Sequence, residues 1–176
     1  MFMRNLSILA LSFAFVTAAY ALEAPHLGRP ATPDDIKAYE LDAMPDGRFL
    51  PEGHGTAKEG EAIFVEKCQS CHGEKGVKGI ALALVGGQGT IGKNEIKPLR
   101  TVGSYWPYAP SIFSYIRRAM PYYESKSLST DEIYALTAYL LALNKLIGEQ
   151  DEMNAKTLGQ VKMPWRDHFR PFKRGD

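Results

Sequence analysis

Three stretches of the chain place apolar residues at helical spacing, and each is punctuated by recognisable start or stop signals. The first opens on Thr56 and Glu59, a capping box, and runs through Gly60, Ile63, Phe64 and Lys67 to about Cys68. The second begins at Pro110 with Ile112, Phe113, Ile116 and Met120 on one face. Pro121 closes it, because the residue before a proline is pushed out of the α region. The third is the clearest: Ser129 and Glu132 form a capping box, Leu128 and Ile133 occupy staple positions, and Leu136, Tyr139, Leu140 and Leu143 continue the stripe, with Gly148 expected to end it.

The intervening sequence has other characters. Residues 1–21 read as a secretory signal: Arg4 in a short basic start, an uncharged apolar run from Leu6 to Ala18, then Ala19-Tyr20-Ala21 as a cleavage site. An uncleaved anchor is the alternative, but the run is short for a bilayer and lacks basic residues after it, so no membrane span is expected after cleavage at about Ala21. Residues 22–55 form a proline- and glycine-rich arm, too polar for a core of its own and expected to wrap around the main domain. Within it Thr32-Pro33-Asp34-Asp35 predicts a short helix to about Tyr39, and Pro45-Asp46-Gly47 a turn. Residues 73–105 hold eight glycines and little periodicity, which reads as a loop. The main domain is thus expected over 56–148. A basic, aromatic extension without strong periodicity follows over 149–176, and no internal repeat is visible.

Composition adds one constraint. The 176 residues suit a single domain with extensions, and only two are cysteines, so an exported protein of this size would carry no network of disulfides. The net charge of +1 hides a pattern. Residues 22–66 carry ten acids against four bases, whereas 67–100 carry two against six, a surplus of +4 made by Lys67, Lys75, Lys78, Lys93, Lys97 and Arg100; the stretch from 162 onward is also basic. Such asymmetry suits electrostatic steering toward a protein partner, with ordinary solvated faces as the plainer account. No feature points to nucleic acid.

The chemistry sits in Cys68-Gln69-Ser70-Cys71-His72. In an exported protein a C-x-x-C-H run reads as a c-type haem attachment site: two thiols on one turn form thioethers to the vinyl groups, and the adjacent imidazole lies under the iron. A thioredoxin-like redox pair would need a buried strand just before the cysteines, and a capped helix is expected there instead. A zinc site lacks a second Cys or His pair at finger spacing. The two cysteines, His72 and one haem c therefore define the site, and folding is expected to be coupled to attachment.

A second axial ligand has several candidates. Met120 stands at the end of an amphipathic helix, where a loop crossing the distal face would deliver a thioether, although a core methionine on the Ile112 and Ile116 stripe is the plainer role. Met163 and Met44 are rivals, and His26, His54 and His168 are possible in a bis-histidine site. His/Met ligation raises the reduction potential and leaves no open position, so the chemistry is one-electron transfer rather than catalysis at the metal. Tyr105, Trp106, Arg117 and Arg118 are candidate donors to the haem propionates.

The order of capped helix, Cys68 to His72, glycine-rich loop, Met120 and capped last helix resembles the class I cytochrome c fold, an all-α fold of three to five helices around a covalently bound haem. Gly60 and Phe64 resemble the small-residue and aromatic pair by which its first helix packs on its last. The runs Leu84 to Thr90, Thr101 to Ala109, Tyr115 to Pro121, Tyr134 to Leu140 and Lys162-Met163-Pro164 are similar to the cytochrome subunit of the Sox sulfane dehydrogenase and to haem subunits of molybdenum sulfite dehydrogenases. This resemblance implies thioethers at Cys68 and Cys71, iron ligation by His72 and Met120, and a periplasmic location. It also implies electrons taken from a molybdenum sulfite or sulfane dehydrogenase and passed to a downstream cytochrome, with a general diffusible carrier for a terminal oxidase as the alternative. The Sox subunit usually carries two haem domains, whereas this chain has one motif, which favours a single-haem subunit or a diffusible acceptor.

Overall fold

The structure is a computed structural model that describes residues 28–39, 42–91 and 97–168. The expected signal over 1–21, His26, Lys93 and residues 169–176 lie outside the described residues. The chain divides into two units, Met1–Lys37 and Ala38–Asp176.

The expected helix is present as α1 (Pro33–Tyr39), which begins in the first unit. The Thr32 hydroxyl accepts from the Asp35 amide at 3.2 Å, and the Asp35 carboxylate accepts from the Thr32 amide at 2.8 Å. Asp35 also takes a two-pronged bond from Arg29, which holds its carboxyl far below the usual range.

The second unit is built on three long helices and a one-turn helix. A short strand β1 (His54–Thr56) leads into α2 (Ala57–Lys67), then the one-turn α3 (Gln69–His72); α4 (Ala109–Ala119) and α5 (Thr130–Leu143) follow, and β2 (Glu152–Asn154) returns to pair with β1. Both expected capping boxes are formed in full. Thr56 accepts from the Glu59 amide while Glu59 accepts from the Thr56 amide, and Ser129 and Glu132 do the same at the start of α5. Each closes two backbone donors that would otherwise face water unpaired. Pro121 ends α4 as expected: Ala119 is its last residue, and Met120 is extended at φ −122°, ψ 148°. Among the described residues no helix is long and apolar enough to cross a membrane.

The core lies where α2 and α4 pack on α5. Phe64, Phe113, Tyr134, Leu136 and Leu141 are fully buried within it, each worth about 1.5–3 kcal/mol of transfer free energy. The Phe64 ring meets Tyr139 at 5.3 Å and Phe113 meets Tyr134 at 4.5 Å. The close approach of α2 to α5 depends on Gly60. A Cβ built there would collide with the Ala135 carbonyl and stand 2.8 Å from Tyr139 Cβ. Alanine is the better helix former by about 1 kcal/mol, yet a clash with backbone that has no rotamer to escape through costs about 3 kcal/mol. Gly60→Ala is therefore expected to destabilise by a net ~2 kcal/mol, read as an earlier denaturant midpoint. An unchanged midpoint would show that the helices do not cross at this residue.

Two sequence expectations need correction. A strand does precede the cysteines, but β1 has only three residues, pairs antiparallel with β2 (His54 opposite Asn154), and is separated from Cys68 by the whole of α2. It is not the parallel strand of a βαβ redox fold. The last helix ends at Leu143, not near Gly148. Lys145 takes the left-handed conformation at φ 58° in place of a glycine, with its amide bonded to Ala142 O at 2.8 Å and the Leu146 amide to Leu141 O at 3.0 Å, a Schellman closure. Within the C-terminal extension Met153, Leu158 and Met163 are 5 %, 0 % and 4 % exposed and belong to the core.

Residues 42–53, which lead into β1 within the second unit, lie on these helices. Tyr134 Oη donates to Pro51 O at 2.8 Å, and burial pushes the phenol up to about 12. The His54 amide donates to Asp131 at 2.9 Å, the Ala43 amide to the Ser114 hydroxyl at 2.8 Å, and Arg118 pairs with Asp42.

Candidate functional site

The C-x-x-C-H run starts where α2 stops. Cys68 is the C-cap of α2, with its amide bonded to Phe64 O at 2.9 Å, and its own carbonyl accepts from Cys71 and His72 as the chain winds into α3. A left-handed Gly73 then releases the chain. This tight passage puts both cysteines and the histidine on one turn and a half.

Both thiols are free and half-buried. Burial, with the neighbouring Cys71 adding to it, pushes the Cys68 thiol up to about 11. Disulfide oxidoreductases rely on a thiolate of lowered pKa, and Cys68 is shifted the opposite way. His72 Nδ1 lies 2.9 Å from the carbonyl oxygen of Leu82. A carbonyl can only accept, so Nδ1 carries the ring proton and donates it, which leaves the Nε2 lone pair for a metal. Metal-bound histidines commonly hand their second ring proton to a backbone carbonyl in this way.

Other surroundings suit a large apolar cofactor. Cys68, Leu84, Trp106 and Met120 each touch the core yet are only partly buried. Ile80 and Leu82, beside the histidine, are 91 % and 82 % exposed. Thiols for attachment, an imidazole with a free Nε2, a thioether and bare aliphatic surface together fit a haem.

Met120 is half-buried at the C-cap of α4, whereas its rival Met163 is sealed in the core and Met44 lies exposed in the arm. His54 is exposed on β1, and His168 stacks on Trp165 at 3.9 Å. Among the candidate propionate donors, Trp106 meets Tyr115 edge-on at 5.6 Å, Arg100 lies over the Tyr105 ring, and Arg118 is engaged by Asp42. Arg117 is half-buried on α4.

Sequence reasoning missed Asn144. It is 3 % exposed and joins the end of α5 to the glycine-rich loop. Its Oδ1 accepts from the Gly86 amide at 3.2 Å, its Nδ2 donates to Leu84 O at 3.1 Å, and its carbonyl accepts from Gln88 at 2.7 Å. An asparagine just past a helical stripe usually reads as a cap, and the only further signal was a glycine-rich loop in need of an anchor.

A mainly helical fold closed on its last helix, with a histidine readied beside two free thiols, is that of an electron-transfer haem protein. A family model described as "Cytochrome C oxidase, cbb3-type, subunit III" matches residues 55–140, and the chain belongs to the class I c-type cytochromes, whose cofactor is haem. Among solved structures it is similar to a chain of the sulfane dehydrogenase SoxCD from Paracoccus pantotrophus, at 36 % identity over 86 % of this chain and 74 % of that one, with a TM-score of 0.77. No protein of curated function matches it.

Proposed function

We propose that the chain is an exported, periplasmic monohaem cytochrome c that takes single electrons from a molybdenum sulfite or sulfane dehydrogenase and passes them to a downstream cytochrome. In this reading Cys68 and Cys71 carry the haem, and His72 and Met120 hold its iron. The observation that carries the reading is the similarity, over most of both chains, to a sulfane dehydrogenase chain. When bound, the haem supplies a one-electron couple. Leu84 and Trp106 would line its site together with the α5 core, the Leu82 carbonyl orients the imidazole, and the loop over 74–82 would be left for a partner.

That loop is the docking face we assign. Lys75 and Lys78 are exposed on it next to bare Ile80, so charge for steering and apolar surface for contact lie together. Stopped-flow reduction by a sulfite-oxidising molybdenum enzyme should be fast at low ionic strength and slow with added salt. Lys75→Glu with Lys78→Glu should slow the second-order rate about tenfold or more at low salt and leave the midpoint potential near that of the parent. A rate indifferent to salt and to both swaps would refute basic-patch docking.

A second reading, a general carrier for a terminal oxidase, is favoured by the oxidase subunit in the description of the matching family. Rapid oxidation by such an oxidase, with no reduction by any sulfite-oxidising enzyme, would select it over the first.

A further inference from the structure

We propose that Asn144 is a positioning residue for the His72 imidazole, acting through the loop that carries the Leu82 carbonyl. The inference rests on the reading that His72 holds the iron. Asn144 is more than a helix cap. Within α5 its Nδ2 donates to Leu140 O at 2.9 Å, but its other bonds leave the helix for Leu84 O, the Gly86 amide and the Gln88 side chain.

The position of that loop matters because Leu84 stands two residues after Leu82. Between the motif and the loop run two backbone bonds, Ala81 N to Cys71 O and Leu84 N to Gly76 O, both 2.8 Å. These hold the loop to the motif and move with it. Asn144 refers the same segment to α5, the longest helix of the core, and the far side is closed by Val102 N to Leu84 O at 3.1 Å and Thr101 Oγ1 to Gly86 O at 2.6 Å. The Leu82 carbonyl is thereby held against a rigid element.

Removing the carboxamide leaves the Gly86 amide without its acceptor and Leu84 O with one donor where it had two. A buried unpaired amide is costly enough to make the loop shift or admit water. The Leu82 carbonyl then follows, and the Nδ1–H bond of His72 weakens. An imidazole whose second N–H is poorly bonded is a weaker base toward iron, which disfavours the ferric state. The reduction potential should rise.

Two variants of the holoprotein separate this from simple destabilisation. Asn144→Ala removes every side-chain bond. Asn144→Ser keeps a hydroxyl able to bond the carbonyl four residues back, as Ser114 does with Pro110 O and Thr137 with Ile133 O, but it is too short to reach Leu84 or Gly86. Both should shift the reduction equilibrium toward ferrous by about three- to tenfold, tenfold being about 59 mV for one electron. Thr137→Val removes a buried bond of the same helix away from the loop and should leave the potential in place. In a Met120→Ala background the reduced protein should show an iron–imidazole stretch by resonance Raman, moved to lower frequency by Asn144→Ser. A stretch present but unmoved, or potentials shifted equally by Thr137→Val, would overturn the inference alone. Absence of any iron–imidazole stretch in a reduced protein shown to be five-coordinate would remove His72 as the ligand, and the inference with it.

Discussion

Replacing Cys68 and Cys71 together by alanine is expected to release the haem on a denaturing gel and to strip the protein of most of its stability. Cys68 is a half-buried cap residue whose free thiol forms no bond that the fold uses, so alanine is locally tolerable there. The expected loss instead comes from the cofactor. A tethered haem is present at saturating effective concentration, whereas an untethered one must bind from solution, and its linkage stabilisation falls with its free concentration. Domains of this size are stable by roughly 5–15 kcal/mol in total, and the sequence holds no other cysteine to staple the chain. Haem staining after denaturation, together with a thermal melt, reads both effects. Retained staining or an unchanged melt would exclude thioether attachment at these two residues.

The second large effect is expected at Met120. Its extended backbone at the end of α4 places a half-buried thioether outside the helical stripe that Ile112, Phe113 and Ile116 send into the core. Met120→Ala should keep the haem attached, abolish the weak sulfur-to-iron charge-transfer band of the oxidised protein in the far red, and lower the midpoint potential by on the order of 0.1 V, within the span that axial ligands control. Persistence of the band would move the ligand role to another methionine. Met163 would then have to leave a core in which it is 4 % exposed, and Met44 an exposed turn.

How much of this was legible follows from where the signals lie. Three helix starts were written in residues that bond their own backbone, Thr32 with Asp35, Thr56 with Glu59 and Ser129 with Glu132, and that of α4 in Pro110. Met120 was placed by local chemistry as well, since Pro121 had to end the helix there. The rest depends on partners far away in sequence. β1 and β2 are three residues long, too short for their alternation to be read from sequence. The extension buries Met153, Leu158 and Met163 one at a time, without the repeat that marks a buried face. The end of α5 misled because Lys145 adopts a conformation that composition reserves for glycine. Asn144 was invisible because its acceptors and donors are backbone groups of a loop nearly sixty residues earlier.

The pairing of His54 with Asn154 also has a kinetic consequence. A second lock reinforces it: Gly159 passes so close to the Asp46 carbonyl that a Cβ there would stand 2.6 Å from the oxygen. Both contacts close loops of roughly a hundred residues, which makes them the last to repay their chain entropy. As synthesis delivers the chain from its N-terminus, α2, the cysteine motif and α5 all emerge before residues 152–163 can seal them. The turn from Cys68 to His72 is thus formed on a chain whose core is still open, and residues 152–163 close it last.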